Sequence, residues 1–406
     1  MQLVAYGAQD VYLTGNPKVT FFQAVYKRHT NFAMENIEQT VNGTAGNSGR
    51  VSVTVARNGD LIADMYIEMK AKDTVAALNT DCAWLAERAI KDVELSIGGQ
   101  RIDKHYQKWW RLYAELYLDA ETKLNYGKMT STSIADGVIY LPLIFFFNRN
   151  PGLALPLIAL QYHEVRLDFD LSSTFETYAD TSKTFKVWGN YMYLDTEERR
   201  RFAQKGHEYL IEQVQHTGSD SITVGSENQK RLSYNHPVKE LVWCTDADSS
   251  NLWNFSFGEP LALSANITAL AATSNVVVAP NQLGAPVAIV DENSLFTEAE
   301  VGPLDTFKLI LNGQDRFKEQ GGKYFNSVQP YNHHSGSPMP GIYSYSFALK
   351  PEEHQPTGTC NFSRIDNAQV SIKTKASSHK NTLHMFAVNY NVLRIQSGMG
   401  GLAFSN

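Results

Sequence analysis

Apolar side chains recur at every second position through most of this chain. Val51, Val53 and Val55 alternate with polar neighbours. After Asn58-Gly59-Asp60, the residues Leu61, Ala63, Met65, Ile67 and Met69 line one face, while Asp64, Glu68 and Lys70 lie on the other. A period of two is the signature of an extended strand with one covered face. Asn and Gly tolerate positive φ, so Asn58-Gly59 predicts a hairpin turn between these two runs. The same alternation marks Val93 to Ile97, Val165 to Leu171 and Phe185 to Tyr193. Strand-like segments resume at Val238 to Cys244, at Phe307 to Leu311, which alternates before a second turn at Asn312-Gly313, at Ile342 to Leu349, rich in Tyr and Phe, and at Ala368 to Ile372, which alternates again. Thr382 to Ile395 forms a long closing strand. Alternation, as opposed to continuous hydrophobic runs, predicts antiparallel sheets.

Three segments depart from this period. From Asp103 to Lys123 the residues Tyr106, Trp109, Trp110, Tyr113, Leu116 and Tyr117 recur at helical spacing. This predicts one helix across a sheet edge or loop, its aromatic stripe serving the core. Asp195 to Gln204 predicts a second helix, capped by Asp195 with Glu198 in a capping box and ended by Gly206. Ala269 to Pro303, rich in small residues, Asn and Pro, reads as a long surface loop.

Glu94 to Arg101 resembles Lys308 to Arg316: an alternating strand, a Gly-containing turn, a Gln and then an Arg. Gln100 and Gln314 stand 214 positions apart, near half of the 406 residues. The spacing suggests a duplicated all-β unit. Such a unit must hide its sheet edges, and no blade-sized repeat is present for a propeller. The expected fold is therefore all-β: two tandem eight-stranded jelly rolls with short helices in loops. The expected division is an arm over 1–24, a first roll over 25–202, a connection over 203–218, a second roll over 219–400 and a tail over 401–406.

Composition narrows the function. A charge of -6 disfavours a protein whose main task is neutralising nucleic-acid phosphate, although Arg199, Arg200 and Arg201 form one cationic run. Cys82, Cys244 and Cys360 are odd in number and widely spaced, which suggests neither a disulfide framework nor a zinc site. The N-terminus lacks a secretory pattern and no run of about 18 apolar residues occurs, so a soluble cytosolic product is expected. No P-loop, dinucleotide-binding glycine pattern or nucleophile elbow is found, and no catalytic residue, metal or cofactor is expected. His333-His334 reads as solvated loop, His379 and His384 as lying on opposite strand faces, and Asp246-Ala247-Asp248 as a turn. Gly398-Met399-Gly400-Gly401 reads as a flexible tail. Sequons at Asn42, Asn254 and Asn266 are candidate glycosylation positions. A further sequon at Asn361 lies in a segment with a structural appearance.

Four longer segments carry more specific information. They are Tyr12 to Phe22 continuing through Val25 to Phe32, Phe147 to His163 (FNRNPGLALPLIALQYH), Gln355 to Arg364 (QPTGTCNFSR) and Tyr390 to Ile395 (YNVLRI). Together they resemble, in the same order, motifs of the major capsid proteins of nucleocytoplasmic large DNA viruses, with the algal-virus and giant-virus branches nearest. That resemblance spans nearly the whole chain. It implies two consecutive jelly rolls, a homotrimer with six lobes that tiles an icosahedral shell, and residence in the virion capsid after assembly in the host cytoplasm. Its implied partners are neighbouring capsomers and minor capsid proteins beneath the shell, with an internal viral membrane nearby and no sequence-specific nucleic acid. Loops such as Ala269 to Pro303 and Lys123 to Gly137 would form the outer tower. A carbohydrate-binding or carbohydrate-processing jelly-roll protein, and a minor capsid paralogue, are the competing readings.

Overall fold

The structure, a computed structural model, describes residues 7–72, 84–132, 137–180, 185–245, 302–375 and 381–405, together with the backbone of 277–280 and 286–289. In chain order the first half contains β1 (Phe32–Gln39), β2 (Val41–Gly43), β3 (Arg50–Thr54), β4 (Leu61–Lys70), β5 (Ile90–Ile97), β6 (Gln100–Tyr106), β7 (Val138–Pro142), β8 (Leu155–Pro156), β9 (Val165–Leu171) and β10 (Phe185–Leu194). The second contains β11 (His207–Ser221), β12 (Glu227–Leu232), β13 (Pro237–Thr245), β14 (Val277–Pro280), β15 (Pro286–Ile289), β16 (Leu304–Leu311), β17 (Gln314–Asp315), β18 (Gln320–Gly321), β19 (Ile342–Ser346), β20 (Cys360–Asn361), β21 (Ala368–Thr374), β22 (Thr382–Gln396) and β23 (Met399–Leu402).

Strand order shows the duplication. In the first half a sheet ordered β1-β10-β4-β7 faces one whose main path is β3-β9-β5-β6. In the second half β11-β22-β13-β19 faces β12-β21-β16-β17. Replacing each strand of the first set by its counterpart in chain order gives the second set, so the two halves are jelly rolls of one topology. Their sheets remain open and pack face to face. Val53, Val93, Leu167 and Phe169 of one sheet meet Ile62, Ile67, Val187 and Tyr191 of the other, all buried. Trp243 stacks on Phe307 at 4.2 Å between centroids in the second core. The paired segments noted in the sequence are topological equivalents. Gly98 and Gly99 have φ of +57° and +81°, while Asn312 and Gly313 have +51° and +79°. Both pairs make the tight turn that links β5 to β6 and β16 to β17.

Several expectations are corrected. Asn58-Gly59 is no hairpin: β3 pairs with β2 and β9, whereas β4 pairs with β10 and β7 in the opposite sheet. The segment crosses between layers, because side-chain alternation specifies a face and not a neighbour. The single helix over 103–123 is a strand and two helices. Asp103 and His105 pair with Leu95 and Val93, and helix follows as α3 (Gln107–Tyr117) and α4 (Ala120–Thr130). Leu118 ends the first, and Asp119 caps the second, accepting from the Thr122 amide at 2.7 Å. Helix α4 also occupies much of the expected outer loop 123–137, with Tyr126 and Thr130 buried.

The helix after β10 is present over Thr196–Gln204, but the Asp195 side chain makes no cap bond, and the C-cap is Lys205. The segment expected as a connection, 203–218, is largely strand, since β11 begins at His207 and pairs with β22. The C-terminal glycines are also strand: β23 pairs with β22, at Ile395↔Gly400 and Gln396↔Met399. Most of the expected loop 269–303 lies outside the described residues, except for the two-stranded ribbon β14-β15. Cys82, Asp246, Asp248 and His379 also lie outside them.

Candidate functional site

The chemistry of this chain is concentrated where the two rolls meet. Helix α3 carries the aromatic stripe across that seam. Trp109 packs on Phe386 at 5.7 Å, Tyr106 on His216 at 4.8 Å, and Tyr117 on His334 at 5.2 Å between ring centroids. Val242, Cys244, Ile342, Phe386 and Val388 of the second roll join the apolar cluster of the first, so the core is continuous across the halves. The stripe is therefore packing, as its spacing suggested, but it packs on the other roll as well as its own.

Charged groups are locked into the same seam. Glu212 on β11 lies 2.7 Å from the Arg149 guanidinium, 2.8 Å from the Lys239 ammonium and 3.6 Å from His354. Burial acts to raise the Glu212 pKa, but Arg149, His354 and Lys239 outweigh it and hold the carboxyl well below the usual range. Lys239 is fully buried, and burial pulls its ammonium down to about 8 despite Glu212. Beside this cluster Tyr113, Tyr117, Phe146 and Arg149 line a cleft of about 330 Å³.

His334, expected in a solvated loop, is buried, with Glu240 at 3.0 Å on Nε2 and Glu352 at 3.3 Å on Nδ1. Burial works against its protonation, yet the two carboxylates prevail and raise it to about 9. His333 ends the short helix Gln329–His333, which becomes α8 when counted after α1 (Asp10–Thr14), α2 (Leu85–Ala89), α5 (Phe146–Arg149), α6 (Phe175–Tyr178) and α7 (Thr196–Gln204). Nothing in the dipeptide His333-His334 signals its environment; the acids come from positions 240 and 352.

Backbone contacts complete the seam. The Gly336 amide donates to the Leu116 carbonyl at 2.9 Å, and the Met339 amide to Glu115 at 3.1 Å. Strand β23 reaches back to the first roll, where the Tyr162 amide donates to the Gly398 carbonyl at 3.0 Å and the Leu402 amide to Gln100 at 3.1 Å. Gly400 fits because a Cβ there would lie 2.7 Å from Leu160. These contacts explain why glycines occupy a segment that reads as a tail.

The other candidates are scattered. Arg199 pairs with Asp60 at 3.0 Å and Arg200 with Glu197 at 3.8 Å, so the cationic run is partly neutralised. His384 lies 2.8 Å from the Lys108 ammonium at the seam. Asn42 is exposed on β2, while Asn254 and Asn266 lie outside the described residues. Asn361 accepts from the Ser363 amide at 3.0 Å, a local capping role. Among the described residues no three His, Cys, Asp or Glu side chains are grouped to hold a metal. The arm before β1 is a different surface. Tyr12, Phe21, Phe22 and Tyr26 are each about nine-tenths exposed or more, at 92%, 95%, 99% and 89%.

The geometry is that of a scaffold: two like rolls fused by an apolar seam and pinned by buried ion pairs. Comparison with known proteins agrees. Residues 20–201 match the family model described as major capsid protein N-terminus, and residues 198–401 match that described as large eukaryotic DNA virus major capsid protein. This chain belongs to that large eukaryotic DNA virus major capsid protein family. The boundary between the two matches falls within α7, immediately before β11. Among family members, the major capsid protein of Paramecium bursaria Chlorella virus 1 is 46% identical, over 100% of this chain and 99% of the relative. That of Pyramimonas orientalis virus is 41% identical over the same shares. A quasi-atomic model of the PBCV-1 virus capsid superposes with a TM-score of 0.77 at 41% identity, covering 95% of this chain and 100% of that one. The Faustovirus major capsid protein, at 12% identity and a TM-score of 0.68, covers 96% and 94% and shares the fold. As a capsid protein of this family, the chain is a component of the virion shell, and the carbohydrate-binding alternative finds no support.

Proposed function

We propose that the chain builds the shell as a homotrimer, in which three copies present six jelly-roll lobes in a pseudo-hexagonal ring. The observation that carries this reading is the pair of rolls with one strand order, joined by a continuous apolar core. Two like lobes per chain suit a ring of six, and a threefold contact is heterologous and closes on itself. Such an obligate contact typically buries more than about 2,000 Å². The role is structural and not catalytic. Neighbouring capsomers surround each trimer in the icosahedral shell, assembled in the host cytoplasm. The exposed arm turns to the inner side, towards minor capsid proteins and an internal membrane, and its unburied rings support such a contact. Asn42 is the described candidate for a surface glycan.

The test is the mass of the full chain in solution by light scattering. A species near three times 45.4 kDa is expected. A stable monomer at micromolar concentration overturns the trimer.

A further inference from the structure

One contact between rolls already exists inside the chain, and the duplicated topology says where its counterpart belongs. In the first roll α3 stands between β6 and β7. It lies on the outer face of the sheet β11-β22-β13-β19, where Val242, Cys244, Phe386 and Val388 turn towards the first roll. The intervening residues Leu241, Trp243, Met385 and Ala387 face the second core. In the second roll the equivalent position, between β17 and β19, holds the helical segment running from Tyr324 to His333. The equivalent of the covered sheet is β1-β10-β4-β7.

Among the described residues, both of these counterparts carry exposed apolar side chains. Helix α7 covers one end of the sheet, with Phe202 packed against the Leu61 and Ala63 cluster. Beyond that end Val138 is 41% exposed, and Tyr66, Tyr140 and Trp188 are half-buried. On the helical segment Val328 and Tyr331 are 42% and 88% exposed. The rings of the sheet face are fixed in advance. Tyr66 and Tyr140 meet edge to face at 5.6 Å, and the Trp188 indole donates to Glu68 at 2.7 Å. A surface whose rotamers are already set loses little entropy on docking.

We propose that the outer face of β1-β10-β4-β7 receives the Tyr324–His333 segment of a second copy, with Val328 and Tyr331 set against Tyr66, Val138 and Tyr140. The inference rests on the trimer reading above and adds which faces meet. Each chain offers one sheet face and one helix, so the contact is head to tail. Around the ring it alternates with the α3 contact inside each chain. Tyr331 repeats the part of Trp109: an aromatic anchor carried by the helix between the fifth and sixth strands of a roll and seated on the next roll's sheet.

The experiment uses the full chain and two readouts. First, the solution mass is measured for the unsubstituted chain, Tyr331→Asp and Val138→Asp. Both side chains are exposed in the single copy, so its fold, read by circular dichroism and melting, is expected to be unchanged. Each substitution is expected to raise the concentration of half-dissociation by at least about 100-fold, as loss of a buried anchor does. Second, a photoreactive benzoylphenylalanine at position 331 is irradiated in the assembled protein, and the crosslinked peptides are sequenced. Crosslinks to β1, β4, β7 or β10 of another copy are expected. A trimer that survives both substitutions undiminished, or crosslinks that fall elsewhere, overturns this pairing and leaves the trimer standing. A monomer from the unsubstituted chain overturns the trimer itself.

Discussion

Replacing Glu212 by Gln removes the carboxylate that pairs with Arg149, Lys239 and His354 together. The Lys239 side chain is 0% exposed and Glu212 5% exposed, so neither can turn to water. Arg149, 24% exposed, retains some solvent. Breaking a buried pair by removing one partner typically costs about 3–5 kcal/mol, most of it from the charge left behind. Glu212→Gln is therefore expected to destabilise the protein by about 3–5 kcal/mol near pH 7. Lys239→Met leaves Glu212 with Arg149 and His354 and strands no charge, so about 1–2 kcal/mol is expected. In the double variant the stranded ammonium is gone, and the loss should fall short of the sum by at least about 1.5 kcal/mol. The assay is urea denaturation of all four proteins at one fixed protein concentration, because association contributes to apparent stability. Additivity within about 0.5 kcal/mol, or a Glu212→Gln cost below about 1 kcal/mol, would refute the reasoning.

Other expectations follow from the same seam. His334, raised from 6.5 to about 9, contributes stability that is complete below 6.5 and is lost as pH climbs through about 9. The full loss is about 3 kcal/mol, read as the pH dependence of unfolding that His334→Gln abolishes. His216 titrates in the opposite sense: burial first, then His384 and Lys108, lower it to about 4, so its contribution is complete above 6.5 and lost on acidification. His216→Phe should flatten the acid limb of the stability profile. Gly336→Ala would set a Cβ 2.3 Å from the Glu115 carbonyl oxygen and 2.7 Å from that of Leu116. It should cost at least about 2 kcal/mol by thermal unfolding, whereas Gly313→Ala, with open space around it and φ of +79°, should cost only about 1–2 kcal/mol. Phe21→Ser with Phe22→Ser, both fully solvated rings, should leave unfolding within about 0.5 kcal/mol of the parent. A larger loss would mean that the arm packs on its own chain.

Much of the fold was legible because alternation and turn chemistry are local. Val165 to Leu171 appears as strand β9 with those same ends, and Thr382 to Ile395 as β22 with one residue more. Gly98-Gly99 and Asn312-Gly313 marked equivalent hairpins, because only such residues enter positive φ cheaply. The half-length similarity around them was a true trace of duplication. What alternation cannot encode is which strand lies alongside. Asn58-Gly59 has turn chemistry and yet joins two sheets, and Asp103 to Tyr106 has helical spacing to its right but a strand partner in β5. Asp119 was the missed signal, a helix cap in the middle of an apparently continuous helix.

The seam shows the division most clearly. By itself the sequence determined that α3 has an apolar stripe, that the closing strand is long, and that glycines follow it. Only the tertiary structure decided that the stripe spans two rolls, that the glycines pair as β23, and that His334 is buried between Glu240 and Glu352. The physical reason is range. Backbone preference and side-chain period act over a few residues. The burial of a charge, by contrast, is settled by partners that folding brings from tens of residues away, as it brings Arg149 and Lys239 to Glu212 and Glu240 to His334.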